Sequence, residues 1–187
     1  MTRPFEPLYQ QTLTHLRQHD CGTYPFGDGA GLMALTARVQ PARILELGTA
    51  LGYTSCCFAK AAPQALVDTI DFDESHVALA RANIGKAGFG DRVTLHHGAF
   101  ADVLPTLAHS YGLALFDGFA PDFSIINSVM AKLHDDGILV CANLGLAKPN
   151  VRKHLTDTLF KSSHWRIQST LENGGTLVVA RRDVHST

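Results

Sequence analysis

The chain has 187 residues, of which 45% are hydrophobic and 18% charged, and its formal net charge is −1. That composition describes one globular domain able to bury roughly 70% of its unfolded surface, and it excludes disordered and fibrous polymers. The near-neutral balance argues against nucleic acid as a partner, since phosphate backbones demand a basic face.

Local features narrow the classes further. Residues 145–187 hold seven Lys/Arg against three acids, an excess read here as a solvated helix and strand edge. No run of 18 apolar residues occurs, and the start, MTRPFEPLYQQTLTHLRQHD, has no apolar core, so neither a membrane span nor a signal peptide is expected. Cysteines 21, 56, 57 and 141 form no CxxC pair, so neither a zinc framework nor a disulfide set is expected, and a cytoplasmic protein fits best.

One domain is expected to span 1–187. Residues 1–23 read as a short helical segment with Phe5, Leu8, Leu13 and Leu16 among polar neighbours. Such a segment closes a cleft poorly by itself, so packing against a second copy, a homodimer, is expected, against the alternative of a helix lying on its own domain. ARILELG (42–48) is a strand ending at glycine, and YTSCCFAKAA (53–62) a helix stopped by Pro63. LVDTIDF (66–72) is the next strand. ESHVALARANIGKAG (74–88) places Val77, Ala80, Ile84 and Ala87 on one helical stripe, with Gly88 as its cap.

VTLHHG (93–98) and LALFDG (113–118) read as strands. PDFSIINSVMAKLHDDG (121–137) reads as a helix with Ile126, Val129, Met130 and Leu133 at helical spacing. GILVCANL (137–144) is a fifth strand and PNVRKHLTDTLF (149–160) a further helix. WRIQSTLE-NGG-TLVVARR (165–182) is a hairpin about an Asn-Gly turn. Alternating strands and helices require a mostly parallel α/β sheet with helices on both faces, and the hairpin adds an antiparallel strand at one edge.

In such sheets ligands bind beyond the carboxyl ends of the strands. Gly48 and Gly52 sit there, before a helix N-terminus, but their G-x-x-x-G spacing is not the G-x-G-x-x-G of a pyrophosphate site. Glu46, two residues earlier, suits a ligand carrying positive charge, such as an ammonium or sulfonium; the alternative is that it ties the loop to backbone NH groups. In TIDFDE (69–74), Asp73 is the natural N-cap of the next helix. Asp71 has no such structural role in the sequence, and an acid there can accept both hydroxyls of a ribose, with Phe72 beside it for a base.

Taken together these stretches resemble a known family, the class I S-adenosylmethionine-dependent methyltransferases, and within it the catechol O-methyltransferase-like group. The resemblance runs from about Tyr24 to Arg182. It rests on YPFGDGAGL, LELGTALGYTS, TIDFD, VTLHHGAFADVLPTL, LFDGFAPDF and DGILVCANL, six pieces in the right order. It implies a Rossmann-like, doubly wound, seven-stranded sheet whose last hairpin supplies the antiparallel strand.

The resemblance also implies roles. Glu46, Gly48, Thr49, Ala50, Gly52 and Thr54 would surround the methionine part of S-adenosyl-L-methionine, with Phe26 closing over it. Asp71 would hold the ribose, while Phe72, Gly98, Ala99, Phe100 and Phe119 would enclose the adenine. Asp117 and Asn143 would face the reaction centre. Metal-dependent members of the group have an Asp-Asn pair where this chain has Ala142-Asn143, and a lysine where it has Ala120. One carboxylate and one amide make a poor site for a hard cation, so no divalent metal is expected. None of the ten histidines, His76, His96, His97 and His154 included, is assigned a catalytic role.

The expected function is methyl transfer to a small-molecule hydroxyl, with no nucleic-acid or membrane partner. The alternatives are a cofactor-binding subunit without chemistry and, more remotely, a nicotinamide-dependent oxidoreductase.

Overall fold

The structure, a computed structural model, describes residues 3–19 and 25–181. Cys21, Tyr24 and Arg182, named above, lie outside the described residues. Seven strands form one sheet: β1 (Arg43–Leu47), β2 (Leu66–Asp71), β3 (Val93–His97), β4 (Tyr111–Phe116), β5 (Leu133–Cys141), β6 (Trp165–Leu171) and β7 (Thr176–Arg181). Their order is β3-β2-β1-β4-β5-β7-β6. Strands β1 to β5 run parallel, and β7 is antiparallel to both β5 and β6. The winding reverses between β1 and β4, which opens a crevice at their carboxyl ends.

The helices are α1 (Glu6–Gln18), α2 (Gly29–Val39), α3 (Tyr53–Ala61), α4 (Glu74–Lys86), α5 (Phe100–Val103), α6 (Phe123–Ala131) and α7 (Pro149–His154), the last widening into a π-type turn over Leu155–Phe160. Strand alternation divides the core between the two faces. Ile44, Leu113, Leu115, Val140 and Val178 lie under α2 and α3 on one side. Leu45, Leu47, Phe116, Leu139 and Val179 lie with α6 and Phe160 on the other. Among the described residues no helix is long and apolar enough to cross a membrane.

Two sequence expectations change, and one helix was not foreseen. The antiparallel strand is not at the edge, because β7, buried at Val178 and Val179, takes the interior place, while β6, exposed at Arg166, Gln168, Ser169 and Thr170, takes the rim. The helix expected over 121–137 ends at Ala131; Leu133 turns into the sheet opposite Tyr111, so the strand begins before Gly137. Helix α2 went unread: Asp28 caps it by accepting from Gly31 N at 2.8 Å, and Leu32, Leu35 and Thr36 face the core.

The amino-terminal helix takes the second of its two expected settings. α1 lies on its own domain, with Tyr9 edge-on to Tyr53 at 5.2 Å, Phe5 against Phe89 at 6.1 Å, and Thr12 and Leu16 buried. Its apolar side is engaged within the chain.

Candidate active site

The loop after β1 is shaped by conformations that ordinary residues resist. Gly48 has φ +96°, and a Cβ on it would lie 2.6 Å from the Asp117 carbonyl oxygen, so only glycine lets the β1 and β4 loops approach this closely. Gly52 has φ +87° and caps α3, but its missing Cβ makes room for Ile84 of α4 and not for a ligand. Ala50 between them is left-handed at φ 43°, a strain of about 1–3 kcal/mol that the surroundings must hold.

Asp71 holds it. Its Oδ2 accepts from Thr49 N at 3.1 Å and Ala50 N at 2.9 Å, and its Oδ1 from Asp73 N at 3.0 Å. The acid read from sequence as having no structural task thus clamps the loop. Burial pushes the Asp71 carboxyl up, but His76 and the backbone donors outweigh it, so the group lies below the usual carboxylate range. His76, whose Nδ1 is 3.6 Å from Asp71 Oδ1, is raised in turn. Asp73 caps α4 as expected, accepting from Ser75 N and His76 N.

Glu46 sits beneath this loop and does not reach the cavity. It is fully buried on an apolar face of β1, where Oε2 accepts from Ser55 Oγ and from Thr69 Oγ1 at 2.6 Å. Thr69 in turn touches Thr49 Oγ1 at 2.5 Å, so a chain of hydroxyls joins the carboxyl to the loop. Neither role read from sequence, facing a cation or binding backbone NH, matches this geometry. Burial pushes its pKa up to about 7.

Above the loop is a cavity of about 300 Å³, within the range of small-molecule sites. Gly48, Thr49, Ala50, Thr54 and Asp71 form its floor, and Phe26, Phe72, Phe100 and Phe119 its apolar walls. Phe72 is 68% exposed and Phe119 46%, unusual for large apolar rings, and Phe119 stacks on Phe100 at 5.3 Å. Of the residues expected around a ligand, Glu46, Gly52, Gly98 and Ala99 do not line the cavity. Gly98 and Ala99 form the turn into α5, with Gly98 N donating to Asp71 O at 2.9 Å. Residues that the sequence did not place around a ligand do line it: Thr12, Leu16, Tyr53, His76 and Gly118.

A second hollow adjoins the first and shares Pro25, Phe26 and Asp117 with it, adding Asn143, Leu146 and Glu172. Asn143 Nδ2 donates to Asp117 Oδ1 at 3.2 Å. Burial, then the negative charges of Glu172 and Glu46, push the Asp117 carboxyl well above its ordinary value. Glu172 was missed by sequence reasoning. It stands in the hairpin loop at φ 49°, with Oε1 accepting from Gly27 N and Oε2 from Thr176 Oγ1, both at 2.6 Å. Thiolate chemistry has no support among the described residues, because Cys56 and Cys57 are buried and pushed up to about 12.

Comparison with known proteins agrees with this architecture. The chain is 40% identical over 81 residues to a catechol O-methyltransferase of Mycobacterium tuberculosis, covering 43% of this chain and 37% of that protein. It is 31% identical over 120 residues to the catechol O-methyltransferase of Niastella koreensis, covering 62% and 54%. The chain thus spans between about a third and just over half of the length of these curated relatives. In three dimensions it is similar to the O-methyltransferase TomG from Streptomyces achromogenes, solved in complex with SAM, with a TM-score of 0.81 at 23% identity, covering 97% of this chain and 91% of that one. The methyltransferase domain family profile matches residues 45–144, more than half of the sequence. The chain therefore belongs to the methyltransferase domain family.

Proposed function

We propose that the chain is an S-adenosyl-L-methionine-dependent methyltransferase that acts on a hydroxyl of a small molecule. The observation that carries this reading is the pair of adjoining hollows with Asp117 in the wall of both. The residues of the first hollow fit the cofactor. Its strained glycine loop leaves open backbone at the floor, Asp71 borders it with a carboxylate, and exposed Phe72 and Phe119 offer faces for a flat ring.

S-adenosylmethionine, when bound, supplies a methyl group on a positively charged sulfur. The chain's own work is alignment, water exclusion and proton removal. The acceptor belongs in the second hollow, between Phe26, Leu146 and the Asp117–Asn143 pair. A carboxyl with a raised pKa is, once ionised, a more effective base than an ordinary one, so Asp117 would take the hydroxyl proton as the oxygen–carbon bond formed and the carbon–sulfur bond broke. Asn143 keeps the Asp117 side chain oriented through its amide.

A hard divalent cation does not fit this centre. It would find one carboxylate and one amide, with buried Ala142 where another oxygen is needed and both Glu172 oxygens already engaged. The test is isothermal titration with S-adenosylmethionine and S-adenosylhomocysteine, followed by a labelled-methyl screen of phenols, catechols, amines, small acids and peptides. Methyl transfer to a hydroxyl is the expected result. Tight cofactor binding with silence across the screen would mark a binding subunit, and preference for NADH would overturn the reading.

A further inference from the structure

Three imidazoles meet where α1 crosses the first turn of α4. His15 and His19 stand one turn apart on α1, and His76 faces them from α4, with ring centroids separated by 5.0, 5.3 and 5.2 Å. One nitrogen from each ring lies within 4.8 Å of the other two. Among the described residues, Nε2 of His15 and Nε2 of His76 are buried and have no hydrogen-bond partner. His76 is only 6% exposed, so its unpartnered nitrogen is out of reach of bulk water. Leaving a buried polar atom unsatisfied costs about 1–3 kcal/mol, and two such nitrogens in one cluster call for an electron-pair acceptor.

We propose that His15, His19 and His76 form a binding site for one divalent transition-metal ion of the zinc type, which fastens α1 to α4 at the rim of the cavity. Three imidazoles select zinc, cobalt or nickel over magnesium and calcium, which prefer oxygen. With metal–nitrogen bonds of about 2.0–2.1 Å, tetrahedral ligands lie roughly 3.3–3.4 Å apart. From a separation of at most 4.8 Å, each nitrogen moves inward by about 0.8 Å or less. That is within side-chain rotation for His19, which is exposed, and for His15, which is half-buried.

The surroundings match a metal-bound histidine. Asp71 Oδ1 stands 3.6 Å behind His76 Nδ1, the carboxylate–histidine arrangement that orients an imidazole and leaves its far nitrogen for an ion. Asp73 Oδ2, 3.7 Å from His19 Nε2, adds a second negative charge beside the cluster. The site is separate from the Asp117–Asn143 centre and does not depend on the cofactor assignment.

The test uses the full chain without a polyhistidine tag. Titration with Co²⁺ should give one visible d–d absorption per chain, which Zn²⁺ bleaches, and Zn²⁺ should raise the thermal midpoint. His19→Ala, at an exposed position, should keep the fold and weaken Co²⁺ binding by more than about 100-fold. His15→Asn should do the same, while the remote, exposed His164→Ala should leave the titration unchanged. Absence of the d–d band in the parent, or its survival in folded His19→Ala and His15→Asn proteins, overturns the proposal.

Discussion

Replacing Glu46 by glutamine should remove a large pH dependence from the stability of the domain. The Glu46 carboxyl is fully buried among apolar residues, and burial raises its pKa from 4.5 to about 7, against the lowering effect of the Ser55, Thr54 and Thr69 hydroxyls. The native chain therefore holds this proton more tightly than the unfolded chain does. The stability so contributed is fully present below pH 4.5 and is lost as the pH rises through about 7. At about 1.4 kcal/mol for each tenfold difference in proton affinity, the interval corresponds to about 3 kcal/mol. Glutamine stays neutral throughout and keeps an oxygen for the two hydroxyls. Urea unfolding, followed through the single tryptophan, Trp165, should therefore favour Glu46→Gln over the parent by about 3 kcal/mol more at pH 8.5 than at pH 4.5. Groups common to both proteins cancel in the difference. Parallel stability–pH curves for parent and variant would refute the reasoning.

Gly48→Ala should lose stability by about 3 kcal/mol or more, and with it cofactor binding, because its Cβ meets the Asp117 carbonyl at 2.6 Å on a left-handed backbone; thermal melts and titration calorimetry read both. Asp71→Ala should weaken S-adenosylmethionine binding by about 30- to 1000-fold, since Ala50 loses the acceptor that holds its strained conformation; parent-like affinity in calorimetry would defeat this. The methyl-transfer rate should climb as the pH rises through the raised pKa of Asp117, because the base works only when ionised. Asp117→Asn should abolish that limb and lower kcat by about 10²- to 10⁴-fold in a pH–rate profile. Adding Mg²⁺ to the parent should leave turnover unchanged in the same assay.

Much of the strand framework was legible because parallel strands buried on both faces read as short apolar runs closed by glycine or an acid, as in ARILELG and LALFDG. What escaped depends on partners distant in sequence. Leu133 fits a helical stripe with Ile126 and Met130, yet its pairing with Tyr111 draws it into β5, a contact no local period reveals. Asp71 and Glu46 both looked ligand-facing, since a strand-end acid announces only its position. Their separate tasks, holding the loop backbone and anchoring hydroxyls beneath it, come from Ala50 and Thr69 across the turn. Glu172 lay beside an Asn-Gly signal that pointed only to a turn, and its reach to Gly27 spans 145 residues. The i,i+4 spacing of His15 and His19 was readable, whereas His76 joins them only through the docking of α1.

The bond from Gly27 N to Glu172 Oε1 also fixes when, during synthesis, the rim of the site can be finished. Phe26 is held by a segment whose anchor is made 145 residues later, roughly 7–30 s later at ordinary elongation rates. Until the hairpin emerges, the parallel strands can assemble, but the second hollow lacks one wall and Asp117 lacks its charged neighbour. A nascent chain stalled before Glu172 also lacks β7, so the interior strand beside β5 and the rim of the site are completed by the same late segment. Stability and the shape of the second hollow should therefore appear together, and neither before the hairpin is made.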